Sequence, residues 1–214
     1  PKCPFCTRLY MQEEYGAVMC RKCAIDFPYL KQGEDTVKAR FCDKVIAAAK
    51  YEGAVREAVR RYKFGGRMSY ARQFGKILAE KLMEYPEVEY DFITWVPVSR
   101  RRLHERGYDQ AKLLTREVAQ ELNMQMRPVL RKVRNTPPQS SIGSLPRRRA
   151  NVIGAYRLRK DANIDGKSIL LVDDVVTTAS TISECAGLLK SGGATAVYGA
   201  AFAKAARKAS VKKR

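Results

Sequence analysis

Residues 169–181 read Ile-Leu-Leu-Val-Asp-Asp-Val-Val-Thr-Thr-Ala-Ser-Thr, and this stretch narrows the available folds more than any other in the chain. Four apolar residues in a row after Lys167-Ser168 suit a strand covered on both faces, as in a parallel sheet, while Ile182, Cys185, Ala186 and Leu189 follow at helical spacing. The unit is strand, loop, helix. Asp173 and Asp174 fall at the carboxyl end of the strand, where open α/β sheets bind ligands. Thr177, Thr178, Ala179, Ser180 and Thr181 then open the helix, whose free N–H groups and positive dipole end attract a phosphate. An acid pair beside an anion cradle suits a sugar phosphate. The plainer alternative leaves the two acids capping the helix or solvated in a turn.

The stretch resembles the signature of type I phosphoribosyltransferases: an apolar run, two acids, two variable residues, then Thr-Thr-Gly-x-Thr. The resemblance implies an α/β fold, a parallel sheet flanked by helices. It also implies that Asp173 and Asp174 hold the ribose hydroxyls of phosphoribosyl pyrophosphate (PRPP) and that residues 177–181 hold its 5′-phosphate. One position departs from the family pattern. Ala179 stands where the family usually has Gly, and a left-handed backbone there would cost its Cβ roughly 1–2 kcal/mol and weaken binding.

Charge is the second constraint. The formal net charge is +19, from 41 Lys and Arg against 22 Asp and Glu, and such an excess predicts attraction to polyanions. It is unevenly spread: residues 127–160 hold ten basic side chains and no acid, and residues 204–214 hold six and no acid. A solvated surface and a loose tail are the plain reading of the same runs. No apolar run approaches the roughly 18 residues of a membrane span, which predicts a cytoplasmic protein without membrane insertion.

Cys3-Pro-Phe-Cys6 and Cys20-Arg-Lys-Cys23 form two Cys-x-x-Cys knuckles separated by 13 residues. Each aims two thiolates at one point, and the four together suit a closed tetrahedral zinc site. Disulfides are the alternative, disfavoured in a reducing compartment. The segment is short and polar, so the metal would contribute folding energy directly, as in a zinc ribbon. We therefore expect a zinc ribbon over residues 1–40, with the polar residues 32–40 as linker, and a second domain over 41–214. Cys42 and Cys185 lie outside the knuckles, and Cys185 falls on the apolar face of the final helix.

Along the second domain, residues 44–51 read as a strand and 54–62 and 70–85 as helices, with Gly65-Gly66 breaking the chain between the helices. Residues 91–98 read as a strand ended by Pro97, and 108–123 as an amphipathic helix. Between these two, Val98, Ser99, Arg100, Arg101, Arg102 and Arg106 form a basic loop, which suits an anion and provides a seat for pyrophosphate opposite the acids. Residues 135–150 are rich in Pro, Ser and Gly and carry Arg147, Arg148 and Arg149; these arginines would grip either pyrophosphate or a nucleic-acid backbone. Residues 155–158 read as an edge strand and 196–203 as the last strand.

The knuckles ahead of Tyr51-x-Gly53-x-x-Arg56, Lys63-Phe64-x-Gly66, Val96-Pro97-Val98, Arg106-Gly107-Tyr108-Asp109-Gln110-Ala111 and Asn151-Val152-x-Gly154-Ala155-Tyr156 are similar to the ComF (ComFC-like) family over nearly the whole chain. Asp109 replaces a more usual Asn. The family implies a phosphoribosyltransferase domain behind a zinc finger, a place in natural competence and transformation, handling of single-stranded DNA, and partners such as a helicase or DNA-processing protein. For an enzyme, it implies displacement of pyrophosphate at ribose C1 with Mg²⁺, a step that needs charge stabilisation and positioning more than a base. The rival is a basic zinc-ribbon adaptor for single-stranded DNA whose transferase site only senses PRPP or is vestigial. Tyr156 is the lone aromatic stacking candidate in the basic stretches.

Overall fold

Four apolar residues in sequence require a neighbour on each face, and the architecture supplies one. The computed structural model describes residues 1–11, 18–136 and 152–206. Its elements in chain order are α1 (Arg21–Ile25), β1 (Lys44–Lys50), α2 (Gly53–Phe64), α3 (Tyr70–Met83), β2 (Phe92–Trp95), α4 (Arg100–Arg106), α5 (Gln110–Glu121), β3 (Leu130–Lys132), β4 (Tyr156–Leu158), β5 (Ser168–Val176), α6 (Ser180–Ser191) and β6 (Ala196–Lys204). Strands β1, β6, β5 and β2 lie side by side in that order, every pair parallel.

Ile169, Leu170, Leu171 and Val172 are all fully buried, and the pleat sends them to opposite faces. Leu170 and Val172 join Ile46, Ala48, Ala200 and Phe202 under α2, α3 and α5. Ile169 and Leu171 join Val45, Ala47, Val197 and Ala201 under α6 and the β3–β4 hairpin. On the first face Phe74 of α3 stacks on Phe202 at 4.0 Å between centroids, and Tyr62 of α2 meets the Phe74 edge at 5.3 Å. Gly75 lets α3 and α5 touch, since a Cβ there would stand 2.4 Å from the Glu117 Cβ.

The N-terminal module shares this core. Phe5 lies 4.9 Å from Phe27 and 5.9 Å from Phe74, ring to ring. Residues 29–37 then run antiparallel beside β1, with Leu30 N–H donating to the Ala48 carbonyl at 2.9 Å and Ala47 N–H to the Asp35 carbonyl at 2.8 Å. The fully buried Asp35 carboxylate accepts from Tyr85 Oη at 2.6 Å and pairs with Lys81 Nζ at 3.3 Å. Residues 32–40, expected as a linker, are thus partly hydrogen-bonded along the sheet edge.

Two expectations need correction. The basic stretch after Val98 is not a loop but a seven-residue helix, α4: Ser99 caps it, and Gly107 ends it in the left-handed conformation. Residues 156–158 do not extend the main sheet. They pair antiparallel with β3, a strand the sequence analysis does not anticipate, as a separate two-stranded sheet. Among the described residues no helix is long and apolar enough to cross a membrane.

Gly75→Ala should cost about 1–3 kcal/mol by forcing α3 from α5. Urea denaturation measures this, and an unchanged midpoint would show that the two helices tolerate separation.

Candidate functional site

The carboxyl ends of β2 and β5, the end of α2, helix α4 and the β3–β4 hairpin surround a cavity of about 220 Å³. Its floor is the β5-to-α6 connection. Asp173 and Asp174 occupy the last turns of pleat before Val176, and Asp174 N–H donates to Asp173 Oδ1 at 2.8 Å. Asp174 Oδ1 is paired with Lys63 Nζ from α2 at 2.7 Å. Burial pushes the Asp173 carboxyl up to about 7, the Asp174 charge adds to the rise, and Lys63 opposes it.

The hydroxyl loop follows directly. Thr178 Oγ1 and Ser180 Oγ share a hydrogen at 2.8 Å, and Thr177, Thr178, Ala179, Ser180 and Thr181 all face the cavity. Ala179 is the residue before α6, held at φ 56° and ψ 12°, and its carbonyl accepts from Ser183 N–H at 2.8 Å. The left-handed backbone that favours Gly is therefore required here, and a Cβ is carried in it at a cost of roughly 1–2 kcal/mol.

The cationic wall divides the predicted basic residues. Val98, Arg102 and Arg106 line the cavity. Arg102 donates to the Thr136 carbonyl at 2.7 Å, and the Arg106 guanidinium carbon lies 4.7 Å from the Phe64 ring centroid. Ser99 is buried and spends its Oγ accepting from Arg102 N–H at 3.4 Å, so it shapes the helix start. Arg101 turns outward to Glu105 at 2.7 Å, and Arg100 is exposed; neither lines the cavity. Arg147, Arg148 and Arg149 lie outside the described residues.

Several lining residues escaped the sequence reading. Lys63, within Lys63-Phe64-x-Gly66, carries no chemical signal in sequence beyond its charge, yet it lines the cavity. Lys132 lies on β3 with its Nζ 5.0 Å from the Tyr156 ring centroid, and burial together with the Arg102 charge pushes it down to about 8. Gln110 opens α5, is 1% exposed, lines the cavity, and its Nε2 finds no acceptor among the described residues. Asp109 accepts from Trp95 Nε1 at 3.3 Å, Val98 N–H at 3.2 Å and Lys112 N–H at 3.0 Å, fixing the strand end to the start of α5. Tyr156, expected as a stacking surface, is 2% exposed: its ring is buried under Lys132.

In the N-terminal module, Cys3, Cys6, Cys20 and Cys23 place their sulfurs within 4.8 Å of one another, Cys6 and Cys20 at 3.5 Å. Zinc–sulfur bonds of about 2.3 Å put tetrahedral ligands about 3.8 Å apart, so this donor set fits a closed zinc site.

The family model for the phosphoribosyl transferase domain matches residues 110–214. DNA utilization protein YhgH of Escherichia coli is 27% identical over 202 residues, covering 91% of this chain and 86% of that protein. Competence protein F of Haemophilus influenzae is 26% identical over 193 residues, 87% of this chain and 79% of that protein. Competence protein ComFC of Streptococcus pneumoniae is 29% identical over 144 residues, 67% and 60% respectively. These similarities, which run over most of the chain, support the resemblance to the ComF family. The domain match and the parallel sheet flanked by helices give a type I phosphoribosyltransferase fold, with a cysteine cluster ahead of it. Among solved structures, the glutamine PRPP amidotransferase of B. subtilis is 21% identical, covers 66% of this chain and has a TM-score of 0.46; the match spans only 30% of the amidotransferase. An adenine phosphoribosyltransferase is 18% identical over 67% of this chain and 74% of its own, with a TM-score of 0.42.

Two outcomes check the site's energetics. Ala179→Gly should raise stability by about 1 kcal/mol in urea denaturation by releasing the left-handed Cβ; no gain would mean the loop relaxes freely. Asp173 has a folded pKa above its unfolded one, so its contribution favours folding at low pH and fades as pH rises from about 4 to about 7. Asp173→Asn should therefore exceed the wild type in stability by on the order of 1 kcal/mol at about pH 8, with the gain shrinking toward about pH 4. A pH-independent difference would contradict the account.

Proposed function

We propose that this ComF-like chain is a competence-associated phosphoribosyltransferase that binds PRPP with Mg²⁺ and displaces pyrophosphate at ribose C1, acting in the handling of single-stranded DNA. The observation that carries the reading is the single cavity holding both carboxylates, the hydroxyl loop and a facing set of cations. Asp173 and Asp174 would orient the ribose hydroxyls, and residues 177–181 the 5′-phosphate. Arg102 and Arg106, with Lys132 from the opposite side, would receive pyrophosphate. The oxygen donors and a polyphosphate substrate suit Mg²⁺, which when bound would neutralise charge on the departing pyrophosphate. Lys63 pairs with Asp174 and must yield or share it when a ribose hydroxyl arrives.

The DNA part of the reading draws on the +19 charge, on the acid-free stretches 127–160 and 204–214, and on relatives named for DNA utilization and competence. Partners would be a helicase or other DNA-processing protein of the competence machinery, in the cytoplasm. The cysteine cluster would hold structural zinc, and because Phe5 between the knuckles' cysteines enters the main core, losing the metal should loosen more than the N-terminal module.

A second reading, a non-catalytic DNA-binding adaptor with a PRPP-sensing or vestigial site, is favoured by the Lys63–Asp174 pair and by the Cβ at Ala179. Calorimetric titration of PRPP with Mg²⁺ into the wild type and into Asp173→Ala/Asp174→Ala, with and without single-stranded DNA, separates the two. Saturable binding lost in the double variant supports a PRPP site, and release of pyrophosphate on adding an acceptor would make it an enzyme. DNA binding without PRPP binding would leave the adaptor. Metal analysis should find one zinc per folded chain, and Cys20→Ser should lose it together with thermal stability; a folded, zinc-free wild type would remove the ribbon.

A further inference from the structure

Phe64 ends α2, one residue after the lysine that holds Asp174, and its side chain is 70% exposed. A large ring left in water is ordinary when scattered on a surface, but this one lines the mouth of the cavity that holds the acid pair. The ring does not hang free. The Arg106 guanidinium, itself a lining group, lies 4.7 Å from its centroid, a cation–π contact that covers part of the ring while 70% of the residue stays in solvent. Tyr51 lines the same cavity, and Lys63, Arg102 and Lys132 place positive charge around it. An aromatic surface set among cations is the arrangement that takes a base and its neighbouring phosphates together.

We propose that Phe64, backed by Arg106, is a stacking platform for an unpaired base of a single-stranded nucleic acid at the mouth of the acid-pair cavity. A duplex does not fit the role, because its bases already stack on both faces and must be flipped out at a cost to reach a protruding ring. The chain's +19 charge favours a strand over a free base, since the strand brings phosphates to the surrounding cations. Stacking reads the π-face that every base has, so little sequence preference accompanies it. The inference rests on the PRPP reading for what such a base meets inside the cavity; its test is independent of PRPP.

The test is fluorescence anisotropy of the full chain with a labelled oligothymidylate and with an abasic strand of equal length, at a salt concentration that weakens phosphate contacts. The wild type should bind the thymidylate strand about five- to tenfold more tightly than the abasic one. Phe64→Leu should bring the two affinities together, and Phe64→Trp should keep the gap. Equal affinity of the wild type for both strands, no measurable binding of either, or a gap that survives in Phe64→Leu overturns the platform. If PRPP binds but the strands are not distinguished, the platform alone fails. If the strands are distinguished but PRPP does not bind, the sugar-phosphate reading fails and the platform stands.

Discussion

Two carboxylates at the end of a strand covered on both faces are the constraint around which this chain is arranged. Asp174 is buried and Asp173 half-buried, so their charge needs an answer from the protein. Lys63 supplies one half by pairing with Asp174 at 2.7 Å, and Asp173 supplies the other by holding its proton up to about 7. Such a pair is retained at a stability cost when a ligand uses it, and the hydroxyl loop and the arginines of α4 face the same cavity.

The position of Lys63 depends on α2, and α2 is anchored at its far side by the N-terminal module. Arg61 donates to the carbonyls of Pro4 and Phe5 at 2.9 and 3.1 Å, between the first two cysteines. Tyr62, the next residue, donates to the Gln110 carbonyl at 2.7 Å and accepts at its own carbonyl from Tyr108. Three successive residues of one helix therefore reach the cysteine cluster, the start of α5 and the acid pair. The cluster is far from decorative in this scheme: it holds the element that carries Lys63 and Phe64.

Legibility followed the length of the periodic signal. Residues 169–181 are legible because four core residues, two acids, two valines and five loop residues follow one another without interruption. The knuckles were readable because thiol pairs at that spacing have few other uses. Helix α4 was not, since its seven residues carry four arginines and no buried side chain, leaving no apolar face to detect. Strands β3 and β4 have three residues each, too few for alternation to register, and so Lys132 went unnoticed among 41 basic residues. Tyr156 has a basic neighbourhood in sequence, which suggests exposure, whereas the hairpin turns its ring into the core.

The central claim is that the acid pair and the hydroxyl loop form a sugar-phosphate site. Phosphorus NMR of PRPP and Mg²⁺ titrated with the full chain tests it most directly. The account predicts that both the 5′-phosphate and the pyrophosphate resonances shift or broaden with the wild type and stay unperturbed with Asp173→Ala/Asp174→Ala. Resonances left in place by the wild type, or perturbed equally by the double variant, would contradict it.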